Sequence, residues 1–213
     1  AKSVQMGFVK MKMAVNKLRL GLLALRSVAL KAFAALVAFN SISFGAFSIL
    51  EREMMNVQTM MDGTIEKTNQ MRSEMTEAII DISNTMGESA KTLSEGLYKV
   101  LSLGVDTDVA IPVVRQLEKA AKAGKATITE ATTAAISTIN ALGLEMSELN
   151  NVLNVQFETI REGNTTYSQM SRALQNVLPA AMRVGAEMDE LYGSLAFLTK
   201  VSMEPRRAAT ALS

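Results

Sequence analysis

The side chains that enzymes use most often are missing from this 213-residue sequence. It contains no His and no Cys, so the commonest general base and the thiolate nucleophile are both absent. Disulfides and metal sites built on Cys or His are excluded for the same reason. Any reaction would have to use carboxylates, Lys, Ser, Thr or Tyr, and the composition therefore argues against an enzyme.

The remaining charged clusters have structural interpretations. Acidic pairs lie at predicted helix N-termini and lysines surround a predicted helix C-terminus: Asp106 with Asp108, Asp189 with Glu190, and Lys119, Lys122 and Lys125. The helix dipole stabilises both arrangements without any ligand. No segment has the alternating oxygen ligands of a calcium loop or a Gly-rich phosphate loop. We predict no catalytic residue, no cofactor and no bound metal.

Charge is divided unevenly along the chain. Residues 1–50 contain seven basic residues and no acidic one, whereas residues 51–213 contain 15 basic and 21 acidic residues. The first part carries a formal charge of +7 and the rest −6, although the total is only +1. This asymmetry predicts two parts that lie in different environments.

The first forty residues follow a helical heptad pattern, which we call the seam. Apolar residues recur at steps of four and three: Val4, Phe8, Met11, Val15, Leu18, Leu22, Leu25, Ala29, Ala32, Leu36 and Phe39. Such a pattern is typical of a helix that packs against parallel copies of itself or against a partner, and it predicts a homo-oligomer, with trimer and hexamer both open. The basic residues lie off the seam, where they meet either solvent or an anionic surface such as nucleic acid or phospholipid headgroups.

An uncharged apolar run follows the basic residues. Residues 32–50 contain nineteen positions without a charge, long enough to cross a hydrocarbon core of ~30 Å at ~1.5 Å per residue. Asn40, Ser41, Ser43 and Ser48 dilute its apolar character. We therefore favour a buried oligomer core or conditional insertion, and keep a membrane-inserting or pore-forming helical protein as the alternative.

Three domains are predicted from these changes in pattern. A long basic and apolar coiled-coil-like helix covers residues 1–61, and a break at Asp62-Gly63 ends it. Residues 62–89 form this break and an amphipathic connecting helix rich in Met, a residue that adapts easily to irregular cores. Residues 90–213 form a compact helical domain.

Regularly spaced glycines punctuate the last of these domains. Each closes an apolar-periodic run: Gly104, Gly124, Gly143, Gly163 and Gly185. We predict that the helices end at these glycines, because glycine accepts the left-handed conformation common after a helix. Thr127 and Glu130 have the spacing of a capping box at the start of a helix.

A longer repeat is visible in the same glycines. Gly104-Val105-Asp106, Gly143-Leu144-Glu145 and Gly185-Ala186-Glu187 recur after 39 and 42 residues, which is the length of a helical hairpin. The predicted fold class is all-α: a long N-terminal heptad and apolar helix, followed by a compact domain of stacked short helical hairpins.

Four sequence blocks resemble a known family. In order along the region from Phe47 to Ser213, they are Gly96–Asp106, Gly163–Ala181, Gly185–Lys200 and Ala208–Leu212. Their content and spacing are similar to the core of phage tail tape-measure proteins, the minor tail proteins of long-tailed phages. Each block alone is ordinary small apolar helix sequence, and the specificity comes from all four occurring in order.

The resemblance implies a structural protein of the virion that is assembled in the host cytoplasm. It implies a place in the tail tube lumen or tail tip, contact with tail tube and tail tip proteins, and roles in tail length determination and genome ejection. Transient contact with the host membrane or phage DNA would suit the basic and apolar N-terminal part. A ruler needs long uninterrupted helix at ~1.5 Å per residue, so we predict that the measuring rod lies outside the glycine-punctuated part.

Overall fold

The computed structural model describes residues 45, 47–201 and 204–212. The chain divides into two units, Ala1–Ile49 and Leu50–Ser213. The seam, from Val4 to Phe39, lies outside the described residues, as does most of the helix predicted over residues 1–61. Residues 47–58 of that helix are described, and they are helical. Within the described residues the secondary structure is helical, with no strand, and the all-α prediction is confirmed for this part of the chain.

The second unit consists of successive helices joined by short connections. They are α1 (described helical residues 47–58, of which 50–58 belong to this unit), α2 (Ile65–Met86), α3 (Ala90–Ser102), α4 (Thr107–Ala123), α5 (Ile128–Leu142), α6 (Leu149–Glu162), α7 (Tyr167–Val184), α8 (Met188–Lys200) and α9 (Pro205–Leu212), with a 3-10 turn at Met146–Glu148 before α6. The segment 62–89 thus belongs to the same compact unit as residues 90–213.

Side-chain caps determine where several of these helices begin. The hydroxyls of four N-cap residues accept a backbone N–H from the first turn: Thr64, Ser89, Thr127 and Thr166. Thr127 with Glu130 forms the predicted capping box, and Thr166 with Gln169 forms a second one. Each cap satisfies backbone donors that the helix itself leaves free.

Alternate helices pack side by side to form the core. α3 packs on α5, α5 on α7, and α7 on α9, while α2 lies against α3 and α4, and α6 lies against α8. The centre of this arrangement is fully buried and mostly aliphatic, with Leu97, Leu117, Ile136 and Leu174 at most 1% exposed. Burial of such side chains is the main favourable term in folding.

The hairpin prediction needs one refinement at the C-terminal end. α7 packs mainly between α5 and α9, and α8 packs against α6 and α9. A groove of 270 Å³ lies between α7 and α8, with Val177 and Glu190 on opposite sides. α9 accounts for this difference, because it packs against both α7 and α8.

Candidate assembly surfaces and a buried polar network

The structure places the five predicted helix-ending glycines directly after helices. Gly124, Gly143, Gly163 and Gly185 are C-cap residues of α4, α5, α6 and α7, and Gly104 follows Leu103, the C-cap of α3. The seam residues lie outside the described residues, so their role stays a prediction.

Three of the five glycines have the expected positive φ: Gly104, at 87°, and the C-cap residues Gly143 and Gly185. Gly143 and Gly185 both have φ of 65°, a conformation that strains any residue with a Cβ. The residue after each one donates its N–H back to the last turn, from Leu144 to Ile139 at 2.9 Å and from Ala186 to Ala181 at 3.0 Å. These bonds satisfy carbonyls that would otherwise lack partners.

The left-handed expectation is wrong at Gly124 and Gly163, where φ is −84° and −89°. Close packing explains the glycine at both positions. A Cβ on Gly124 would lie 2.8 Å from Cδ2 of Tyr167, and a Cβ on Gly163 would collide with Oγ1 of Thr199 and lie 2.8 Å from the Thr159 carbonyl oxygen. These glycines let neighbouring helices approach, which is a second use of a missing side chain.

A buried polar network connects four helices in the C-terminal half of the unit. Gln156 of α6 is fully buried; its side-chain amide N–H donates to the Tyr192 hydroxyl of α8 at 2.8 Å, and its carbonyl oxygen accepts from the Tyr167 hydroxyl of α7. The Tyr192 hydroxyl lies 2.8 Å from that of Thr138 on α5, and Thr138 donates to the Ala134 carbonyl.

The directions of these hydrogen bonds are fixed by their chemistry. Because Thr138 uses its only proton on the Ala134 carbonyl, the hydroxyl of Tyr192 must donate to Thr138. Tyr192 accepts in turn from Gln156, and Gln156 accepts from Tyr167. The result is one continuous donor sequence from α7 to α5, in which each buried hydroxyl and amide in this sequence has a partner.

Burial controls the ionisation of both tyrosines in this network. It raises the pKa of Tyr192 to about 12, against the opposing effect of hydrogen bonds with Thr138 and Gln156. Burial also raises the pKa of Tyr167, with Tyr192 adding to the shift. Both phenols therefore remain neutral and able to donate at ordinary pH. The Tyr167 ring is further held by Phe157, with ring centroids 5.5 Å apart.

Glu130 joins the start of α5 to α7. Its carboxylate accepts from Ser168 and from the Thr127 backbone, and these bonds, with Ser168 first, hold the pKa of Glu130 below its usual value. Arg172 lies 3.6 Å from the same carboxylate. The Glu130 backbone carbonyl accepts from Ser171 at 3.0 Å. A helix cap thus also serves as a contact between two helices that are neighbours in the core.

The lysine cluster around Gly124 has a structural role at one position. Lys122 donates to the Met86 carbonyl at the end of α2 and lies 3.7 Å from the carboxylate of Glu118. The Glu118 side chain is buried, and burial, with the nearby charge of Glu88 adding to it, raises its pKa. Lys122 opposes that shift, so its positive charge is paired with Glu118 within the fold.

Two further open grooves lie at the surface of the helical unit. One of 470 Å³ is lined by α1, α3 and α5, including Glu53, Tyr98 and Thr129. Another of 430 Å³ lies between α4 and α6, including Lys119 and Phe157.

The described residues contain no group of three or more acidic side chains placed to hold a metal ion. Over the same residues, none of the helices has both the length and the apolar character that crossing a bilayer requires. The uncharged run 32–50 falls mostly outside this part of the chain.

Sequence reasoning missed the polar network. The apolar periodicity and the motifs single out none of its four side chains: Tyr167, Gln156, Tyr192 and Thr138. Partners 54 residues apart, such as Thr138 and Tyr192, leave no local signal. The second capping box could have been found, because Thr166-x-x-Gln169 has the same spacing as Thr127-x-x-Glu130.

The described residues form packed helices that are hydrogen-bonded to one another. This part of the chain is therefore an all-α structural module. Comparison with known proteins identifies the family. Residues 76–213 match the phage-related minor tail protein family, and the chain belongs to it. A structural role in the phage tail follows from that membership.

Two curated relatives support this assignment. The chain is 28% identical over 148 residues to a probable tape measure protein of Clostridium phage phiCD119, and 24% identical over 177 residues to a tape measure protein of Pneumococcus phage Dp-1. The matches cover 68% and 83% of this chain but only 15% of each relative. No solved structure matches the chain.

Proposed function

We propose that this chain is the part of a tape-measure protein that attaches the measuring rod to other tail components. The observation that carries the proposal is the compact helical unit Leu50–Ser213, which includes all of residues 76–213 that match the minor tail protein family. Its helices fold back on one another, so the unit adds little length per residue compared with ~1.5 Å in a continuous helix. The rod would therefore lie in the remainder of the full-length protein.

The N-terminal seam supplies self-association in this proposal. Copies of the chain, as a trimer or a hexamer, line up in parallel through Val4 to Phe39 inside the tail tube or at the tail tip. Tail tube and tail tip proteins are the partners of the helical unit. Tail length determination and genome ejection then depend on the bundle as a whole. The basic arm contacts phage DNA or the host membrane transiently as the genome leaves.

Self-association can be tested by placing charge on the seam. We expect Leu18→Asp with Leu22→Asp to abolish oligomers of the 213-residue chain, because the carboxylates in each layer, one from every copy of a trimer or hexamer, cannot be accommodated in a coiled-coil core. The measurement is molar mass by sedimentation equilibrium across a concentration series.

The matched control adds the same charge away from the seam. Asn16→Asp with Ser27→Asp changes the net charge equally at two non-seam positions and should leave the oligomeric mass unchanged. A monomeric wild-type chain, or an oligomer that persists in Leu18→Asp with Leu22→Asp, would contradict the proposal.

A further inference from the structure

The break between α1 and α2 interrupts a helix but does not interrupt its apolar stripe. In residues 50–86, all the fully buried side chains lie on one pattern of threes, fours and sevens: Leu50, Met54, Val57, Met61, Thr68, Met75, Ile79 and Ile82. Met71 and Met86, which are partly buried, occupy further positions of the same stripe.

The phase of the stripe is preserved across the break itself. Met61 and Thr68 are seven residues apart, which is two turns of helix. This spacing is kept although residues 59–64, which include Met61, are not helical. A straight helix through this segment would therefore carry Leu50, Met61, Thr68 and Met75 on one face. The single irregularity is the step from Met71 through Met75 to Ile79, where two fours follow each other, as in a coiled-coil stutter.

Two side-chain hydrogen bonds of Gln58, which we call the clasp, and one glycine stabilise the bend between α1 and α2. The Gln58 amide donates to the Thr68 hydroxyl at 3.0 Å and to the Asn69 amide oxygen at 2.9 Å. In a straight helix, residues 58 and 68 would be about 15 Å apart, so the clasp exists only when α1 folds back. Gly63 has φ of 140°, which other residues rarely adopt.

The same spacing continues toward the seam in the sequence. From Phe39, steps of four, three and four lead through Ser43 and Ala46 to Leu50. The pattern that predicts self-association in residues 4–39 thus reaches Leu50, and a second pair of fours, from Ala46 through Leu50 to Met54, joins it to the stripe on α1. No proline lies between residues 1 and 86, and only Asp62 and Gly63 in the break disfavour helix strongly.

We propose that α1 is a folded-back continuation of the N-terminal seam, and that it swings into line with α2 when copies of the chain associate. α2 keeps its place on α3 and α4. α1 exchanges its contact with α3, where Met54 meets Ser94, for the same residues of a second copy. Leu50, Met54 and Val57 are buried in both states. The swing of α1 therefore transfers their apolar surface from contact with α3 to contact with a second copy of the chain. This inference rests on the proposed self-association.

Distance measurements between two spin labels can test the swing, because the chain has no native Cys. One pair, Met55→Cys with Ser73→Cys, spans the break at exposed positions. The control pair, Glu66→Cys with Asn84→Cys, is also 18 residues apart but lies wholly within α2. A straight helix places either pair about 27 Å apart at the backbone.

We expect the spanning pair to lengthen to the control distance in the oligomer, and to be shorter in the dilute monomer. The control pair should not change. Asp62→Ala with Gly63→Ala should shift the spanning pair to the long distance even in the monomer, because alanine favours helix through the break. Association without lengthening overturns this inference and leaves the proposed function standing. A chain that never associates overturns both, and an unchanged short distance in the double alanine variant overturns the inference alone.

Discussion

At the scale of single residues, four buried polar side chains of α5 to α8 are matched to one another by hydrogen bonds. The network around Gln156 uses each donor once and in one direction, from Tyr167 through Tyr192 to Thr138. Buried polar groups stabilise a fold only when all of them are satisfied. Removing any one member should therefore cost more than the single hydrogen bond that it makes.

Tyr192→Phe is the sharpest change of this kind. It leaves the Gln156 amide without an acceptor in a fully buried position, and we expect the free energy of unfolding to fall by about 1–3 kcal/mol. Urea unfolding followed by circular dichroism measures it. Tyr98→Phe is the matched control, because Tyr98 is 39% exposed and its loss should stay within about 0.5 kcal/mol. Equal effects of the two substitutions would contradict the network's importance.

The same residue predicts a response to alkaline pH. The folded state raises the pKa of Tyr192 to about 12 from 10.0, so the neutral phenol stabilises the fold fully below about pH 10. That contribution should be lost as pH rises from about 10 to 12. Tyr192→Phe should show a shallower decline over this window, and not a flat one, since burial also raises the pKa of Tyr167.

The effect of pH on stability through Glu118 should be opposite to that of a carboxylate whose pKa is lowered by folding. Its pKa is raised, first by burial and then by Glu88, so its contribution to folding is most favourable in acid and is lost as pH rises through the folded pKa. We expect Glu118→Gln to raise the free energy of unfolding at pH 7, and to raise it less at pH 4. Urea unfolding at both pH values measures this. Glu77→Gln, at an exposed position, should change little, and a Glu118→Gln variant that is less stable at pH 7 would refute the argument.

At the scale of helices, similar glycines at similar places in the sequence perform two different functions. Gly143 and Gly185 supply a left-handed residue, whereas Gly124 and Gly163 supply an empty volume against Tyr167 and Thr199. Sequence spacing identifies a helix end in both cases. It does not distinguish the two functions, because the second depends on a neighbour more than thirty residues away.

Alanine substitutions separate these functions. Gly124→Ala and Gly163→Ala should each cost about 1–3 kcal/mol through overpacking, and Gly143→Ala about 1–2 kcal/mol through backbone strain. Gly193 is the control, since it is helical, exposed and has open space at its Cβ position. Gly193→Ala should stabilise the protein by about 0.5–1 kcal/mol. Thermal unfolding of the four variants measures the order, and a neutral Gly124→Ala would show that the Tyr167 ring can move aside.

Local features of the helices could be predicted from the sequence, and long-range ones could not. The Thr127–Glu130 box and the helix ends at the glycines depend on residues within one or two turns. The Gln156 network, the Glu130 contact with Ser168, and the separation of α7 from α8 depend on which helices become neighbours. Periodicity describes the buried face of a helix but does not identify what covers it.

At the scale of the whole molecule, the same segment cannot both fold compactly and serve as a measuring rod. A rod lengthens by ~1.5 Å for each residue added, whereas the helices of the Leu50–Ser213 unit pack back on one another around a shared core. A protein that both measures and attaches must therefore separate the two functions along its sequence. The matched region covers only 15% of each relative. Most of the chain of those relatives therefore lies outside it, with ample length for a rod.

Deleting one hairpin repeat from the phage gene tests this separation. Residues 104–142 contain α4 and α5, whose packing supports α3 and α7, and their loss should prevent tail assembly because the attachment domain no longer folds. If the segment were part of the rod, removal of 39 residues would instead shorten otherwise normal tails by about 60 Å. Electron microscopy of particles from the mutant distinguishes the two outcomes. A deletion of equal length in continuous helix elsewhere in the full-length protein is the control, and it should give shorter tails of otherwise normal appearance.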